Sequence, residues 1–323
     1  MKKLMSLYVS GAVVALCVMQ AFAKEVVFNP TVQNADGSYS WTNKNNWVGG
    51  ALPGINDVQV YQPSGDLTVM PDNLPSGYYS GYYQFGGMKF LSGNTYFKQN
   101  KYFYANATTT EVYVAEGATV VYSNVVDTWN AGYALAKTGK GSFEFRKLGE
   151  GNAFKLVDVR EGTLHNLTVN GASYVKASAV RIHGDALYYA QGYNYFLGDP
   201  DMQIDAGGKL RVRGGSGKVN VKCLTGEGEI FDQDYWTDLQ IKPDKDCVFS
   251  GTMSAKVYPN IITSATGRFI LGNANAIAAC GQVKGCEWLS FLPGIGTFTL
   301  GVEYVGKSAT SPIVLEEDRK SVV

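Results

Sequence analysis

Apolar and polar residues alternate in short runs along most of the chain, and Gly, Asn, Asp and Ser separate the runs. A period of two broken by turn residues predicts short β-strands, and the 3.6-residue period of an amphipathic helix is nearly absent. Three runs look alike: Val112-Tyr-Val-Ala-Glu-Gly117-Ala-Thr-Val-Val121, Val157-Asp-Val-Arg-Glu-Gly162-Thr-Leu, and Met202-Gln-Ile-Asp-Ala-Gly-Gly208-Lys-Leu-Arg-Val212. Their turn glycines, Gly117, Gly162 and Gly208, are 45 and 46 residues apart. Two coils of about 22 to 23 residues per interval give that spacing, and a fixed period of this size marks a stacked-repeat protein. One coil cannot bury its own apolar face, so neighbours must stack. The expected fold is all-β: a single right-handed parallel β-helix, or β-solenoid, with a core ladder of Val, Ile, Leu, Phe and Tyr. Weaker copies follow at Leu224-Thr-Gly-Glu-Gly-Glu-Ile230, Val248-Phe-Ser-Gly-Thr-Met253 and Thr266-Gly-Arg-Phe-Ile-Leu271.

The densest signal is residues 135–164, LAKTGKGSFEFRKLGEGNAFKLVDVREGTL. A polar turn, Lys137-Thr138-Gly139-Lys140-Gly141, precedes apolar positions at Phe143, Phe145, Leu156, Val157 and Val159, and Glu161-Gly162 makes a second turn. This stretch closely resembles the autotransporter-associated β-strand repeat, whose pattern is roughly L-x-K-x-G-x-G-x-L-x-L … V-x-x-G-x-L. The resemblance implies a bacterial passenger-type β-helix, exported to the outer surface or the medium. It would act as a stalk, adhesin or matrix component with no chemistry of its own. The opening segment, with Ser40-Trp41-Thr42-Asn43, Asn46-Trp47, Leu52-Pro53-Gly54 and Asp57, is similar to the start of such secreted repeat proteins. Residues 24–61 are therefore expected to be an N-terminal cap, with Trp41 and Trp47 covering the first open rung, since bare strand edges invite aggregation. The solenoid is expected over residues 62–317.

Both ends of the chain carry processing signals. Lys2 and Lys3 precede a mostly apolar run over residues 4–19, and Ala21-Phe22-Ala23 is a small-x-small site. This predicts a signal peptide over residues 1–23. A membrane span needs about 20 strongly apolar residues, and this run is shorter and interrupted. Residues 318–323 are the translation of GATCGGAAGAGCGTCGTG, the start of a common sequencing adaptor. The expectation is a non-native tail on a fragment whose native frame continues past Glu317, where any membrane anchor would lie.

Charge and cysteines narrow the function class. The chain has 28 basic and 28 acidic residues, and loss of Lys2 and Lys3 with the leader makes it slightly acidic. Such a balance has no footprint for nucleic acid or for an anionic membrane. Four cysteines follow the leader: Cys223, Cys247, Cys280 and Cys286. In an exported chain they favour disulfides. Cys223 and Cys247 are 24 residues apart, about one coil, which stacks them on adjacent rungs. Cys280 and Cys286 are expected to close a small loop. A metal site is the weaker reading, because there is no Cys-x-x-Cys and the only histidines, His165 and His183, lie far upstream. No cofactor is expected.

Aromatic clusters are the binding candidates, with Tyr78, Tyr82, Tyr189 and Tyr193 as possible stacking platforms for host or plant glycans; other surface proteins are the second partner class. The bland reading of these rings is ordinary strand packing. The acidic pairs Asp199/Asp201, Asp232/Asp234 and Asp244/Asp246 sit in no calcium-loop pattern and read as turns. Polysaccharide binding or cleavage is the alternative function: Arg160, Arg181, Arg211 and Arg213 with Asp158 or Asp185 supply lyase-like residue types, although no spacing selects among them. There is no Gly-x-Ser-x-Gly, His-Glu-x-x-His or phosphate loop. Asn106-Ala-Thr108 and Asn166-Leu-Thr168 fit glycosylation acceptors, relevant only to a eukaryotic secretory route.

Overall fold

The computed structural model describes residues 23–71, 83–98, 103–128, 130–166, 174–191, 196–213, 218–232, 236–261, 267–273, 275–280, 283–284, 289–291, 304–305 and 313–315. Their regular structure is β-strand apart from one 3-10 turn at Lys44–Asn46. Strands pair in parallel into sheets of 13 and 14 strands, and a third, five-stranded sheet begins at Lys218–Val221. Successive strands of the first sheet lie one coil apart in sequence. Ala134 pairs with Leu156, Ala179 with Asp201 and Asp201 with Cys223, each 22 residues on; Val157 pairs with Val180, 23 on. The chain is thus a parallel β-solenoid with the coil length that the glycine spacing predicts.

Inward positions stack into columns. In the second sheet one column runs Leu67, Thr95, Val120, Phe143, Leu164, Tyr188, Leu210, Ile230, Met253. All of these are buried, and each large apolar member contributes roughly 1.5–3 kcal/mol relative to exposure. The glycines serve close approach as well as turning. Gly162 has φ +63°, and a Cβ there would stand 2.5 Å from the carbonyl oxygen of Gly141, one rung below. Only glycine fits both constraints.

The rungs begin earlier than the sequence suggests. Within residues 24–61, Glu25–Phe28 and Val58–Tyr61 are already the first two strands of the 13-stranded sheet. Between them, Trp47 forms an antiparallel bridge to Phe28, with Val48 N donating to Val27 O at 2.9 Å. Trp41 and Trp47 are buried edge-to-face at 5.4 Å, and Tyr61 stacks on Phe90 at 4.9 Å. The indole N–H of Trp47 donates to Trp41 O at 2.7 Å, and that of Trp41 to Gln59 at 3.2 Å, so both polar edges are satisfied.

Lys137 departs from the expected polar turn. It belongs to the strand Ala134–Thr138, at an inward position in the column Val112, Lys137, Val159, Ile182, Ile204. Its side chain is buried at 1 % exposure, and Nζ donates to the carbonyls of Thr138, Gly139 and Glu161 at 3.0, 2.6 and 3.0 Å. The ammonium therefore ties two consecutive turns together from inside. Lys137 and Gly139 thus serve the same turn.

Candidate functional site

Among the described residues the inward columns are closely packed, and the polar side chains stand mainly on the outward columns. In the second sheet one column is Glu144, His165, Tyr189, Arg211. The His165 and Tyr189 rings stack at 4.3 Å with a 5° interplanar angle, and the Arg211 guanidinium lies 4.3 Å from the Tyr189 centroid. Arg213 Nη1 donates to the Tyr189 hydroxyl at 3.3 Å. The neighbours one rung below and one above engage the tyrosine ring, so Tyr189 does not offer a sugar an open stacking platform. Rings stacked along the solenoid axis turn their edges, not their faces, to solvent. Tyr78, Tyr82 and Tyr193 lie outside the described residues.

The first sheet brings together residues that no sequence spacing selected. Asp158, Arg181, Gln203 and Thr225 form an outward column. At the ends of these strands His183 Nε2 donates to Asp158 Oδ1 at 2.7 Å, while Nδ1 lies 3.4 Å from Asp205 Oδ2. Arg160 Nε donates to the other Asp158 oxygen at 2.7 Å, and Arg181 Nη2 to Asp205 at 2.9 Å. Burial works against the Asp205 carboxylate, but hydrogen bonds from Gln203 and Arg181 outweigh it and hold its pKa below the usual range. Arg160, Arg181 and Asp158 were legible as candidate residue types. His183 and Asp205 were not, yet 158, 183 and 205 succeed one another at about one coil, which is the signal that finds them. Asp185, the other acidic candidate, is an exposed turn residue with φ +63°.

Beside this network lies a groove of about 350 Å³ bordered by Ala179, Arg181, Asp201, Gln203, Cys223 and Lys245. Its cations are paired: Arg181 with Asp205, and Lys245 with Asp201 at 2.5 Å. The acidic pairs of the sequence behave in the same way. Asp199 receives Lys242, Asp244 receives Lys222 and Asp246 receives Arg268, at 3.1, 2.7 and 2.5 Å. Buried Asp232 accepts from Thr237, and Asp234 is outside the described residues. Among the described residues no group of three or more His, Cys, Asp or Glu side chains is arranged to hold a metal ion. The carboxylates are divided among separate cations instead of converging on one point, whereas calcium needs six to eight oxygens.

The cysteines split. Cys223 and Cys247 form a disulfide with Cα atoms 5.6 Å apart. Register places Gly226 opposite Phe249, 23 residues on, so the bridge at 24 is a diagonal one residue out of register. Cys280 is a buried free thiol, so the second bridge is not formed in this structure; Cys286 is outside the described residues. Burial pushes the Cys280 thiol up to about 12. Asn166 is buried and its side-chain oxygen accepts from the Tyr188 hydroxyl at 2.8 Å, which removes it as a glycosylation acceptor on the folded chain. Comparison with protein-family models, with curated proteins and with solved structures finds no match to this chain.

Proposed function

We propose that the chain is the β-helical shaft of an exported bacterial surface or secreted protein of the autotransporter-associated repeat type, serving as a stalk, adhesin or matrix component with no chemistry of its own. The observation that carries this reading is the use made of outward ionisable groups. His183 bridges carboxylates on neighbouring rungs, and Lys209 pairs with Glu229, Lys222 with Asp244 and Arg268 with Asp246 one coil away. Isolated surface pairs add little stability. Pairs that link one rung to the next instead favour one register over its slips, which is what a repetitive shaft requires. The inter-rung disulfide acts in the same direction and suits an oxidising compartment.

Expression of the tagged gene in its native host tests the reading. Added protease should cleave the chain on intact cells, or the chain should accumulate in the medium, with the mature N-terminus at Lys24. Retention inside protease-resistant cells with Met1 still attached contradicts it.

A further inference from the structure

We propose that the Asp199–Pro200 peptide bond is a self-processing site. The Asp199 carboxylate attacks its own carbonyl carbon and expels the Pro200 nitrogen, and the cyclic anhydride so formed passes to the Lys242 amine. The inference goes beyond the shaft reading. Processing is read on the purified chain and export on cells, so either can fail without the other.

The backbone marks this bond. Among the described residues Asp185 and Asp199 are the two non-glycine residues with positive φ, at 63° and 45°. Asp185 precedes Ala186, whereas Asp199 precedes a proline. A left-handed φ is unfavourable for a residue with a Cβ, and a following proline favours extended backbone, so Asp199 is strained on both counts. The strain cannot relax, because both flanks are fixed. Upstream, Phe196 pairs with Val175 and Leu197 with Lys176. Downstream, Pro200 is buried, its carbonyl accepts from Lys222 N at 3.0 Å, and Asp201 N donates to Ser178 O at 3.0 Å.

The chemistry follows from the residue types. Attack by a carboxylate oxygen of Asp199 on its own carbonyl carbon closes a five-membered ring inside one residue, so the reacting atoms are already held together. The bond to the Pro200 nitrogen breaks. That nitrogen carries no N–H, and it leaves as a secondary amine after taking a proton from the Lys242 ammonium or from solvent. Lys242 Nζ lies 3.1 Å from Asp199 Oδ2, so the deprotonated amine stands beside the anhydride. Its attack forms an amide with one Asp199 carbonyl and releases the other as a carboxylate. The neighbouring amines are engaged elsewhere: Lys222 with Asp244, Lys245 with Asp201, and Lys176 with Gly151 O. The Lys242 and Asp199 side chains are 37 % and 36 % exposed, so water competes. Transfer leaves a free Pro200 N-terminus, an amide between coils two rungs apart and the mass of the parent. Hydrolysis adds one water and yields two chains, which the disulfide does not join because Cys223 and Cys247 both follow Pro200.

The test is incubation of the whole exported chain at about pH 5 and about pH 7.5, where an ordinary aspartate is ionised, followed by intact mass, N-terminal sequencing and peptide mapping. A new N-terminus at Pro200 should appear, faster at the lower pH because the leaving nitrogen must gain a proton. Mapping should recover a branched Asp199–Lys242 peptide. The folded chain should react about tenfold or more faster than the same chain in urea, because only the fold holds the strain that the transition state releases. Asp199→Asn, which tolerates a left-handed φ, should slow the reaction by about tenfold or more. Pro200→Ala, which keeps the carboxylate, should do the same and gives a second reading should the first variant perturb the fold. Lys242→Arg keeps the ion pair but removes the amine, and should yield two separable chains in place of the branched one. The proposal is overturned if no Pro200 N-terminus forms, if the chain in urea reacts as fast as the folded one, or if Asp199→Asn reacts as the parent does. Transfer to Lys242 is overturned if the parent yields two separable chains and no branched peptide.

Discussion

Lys137 shows how far single positions can be read. A lysine followed by Thr-Gly-Lys-Gly looks like a solvated turn, because nothing local distinguishes it from Lys140. Its inward direction is set by the pairing of Ala134–Thr138 with the strands on either side, a long-range fact. Replacing it by Met leaves three turn carbonyls without a donor and is expected to cost about 2 kcal/mol at pH 7, measured by urea unfolding. Burial pulls the amine down to about 8, with the Glu161 charge opposing the shift. Between about 8 and the ordinary 10.5 the unfolded chain holds a proton that the folded chain does not. Stability from this site therefore rises with pH across that window and is lost as pH falls through 8. The advantage of the parent over Lys137→Met should widen from pH 7.5 to 10, and a gap that narrows contradicts the assignment. Cys280 gives a second test at this scale. A buried thiol pushed up to about 12 is a poor nucleophile. Native alkylation followed by peptide mapping should leave Cys280 unmodified, whereas the same reagent in denaturant should modify it fully.

At the scale of the rung, the sequence was legible where it repeats. Gly117, Gly139 and Gly162 all have positive φ, and the third turn uses Gly207 for this instead of Gly208. The coil length followed from these positions because a backbone constraint recurs at fixed intervals. The outward network was illegible for the opposite reason: polar residues on a solvated face have many equivalent neighbours until the register is known. Asp158, His183 and Asp205 become partners only once Val157 is opposite Val180 and Ile182 opposite Ile204. The start of the solenoid was missed because the two tryptophans suggested a separate unit, while Glu25–Phe28 is already a paired strand. The Cys223–Cys247 bridge was readable from spacing together with the expected export, and its diagonal geometry was not. Peptide mapping without reductant should recover the two cysteines in one linked pair. Cys223→Ala with Cys247→Ala should cost about 3 kcal/mol, from the loop closed by the bond, without changing the β-type circular dichroism. A loss of strand signal would show that the bridge determines the fold and does not merely fix register.

At the scale of the molecule, the central claim is that the chain climbs one axis, one rung per coil. The outward column Asp66, Asn94, Thr119, Ser142, Thr163, Leu187, Lys209, Glu229, Thr252 follows that axis through most of the described chain. Among the described residues no helix is long and apolar enough to cross a membrane. The most direct measurement is the distance between nitroxides on this column, by double electron–electron resonance, with Cys280→Ser and Cys286→Ser removing the other thiols. Each step should add ~4.8 Å. Labels on Ser142 and Thr252, five steps apart, should therefore lie about 24 Å from each other. Asp66 with Lys209, six steps, should give about 29 Å, and Asp66 with Thr252, eight steps, about 38 Å. Distances that rise linearly with the number of rungs are the predicted result. Distances that do not increase with rung number, or that place Asp66 closer to Thr252 than to Lys209, would contradict the solenoid.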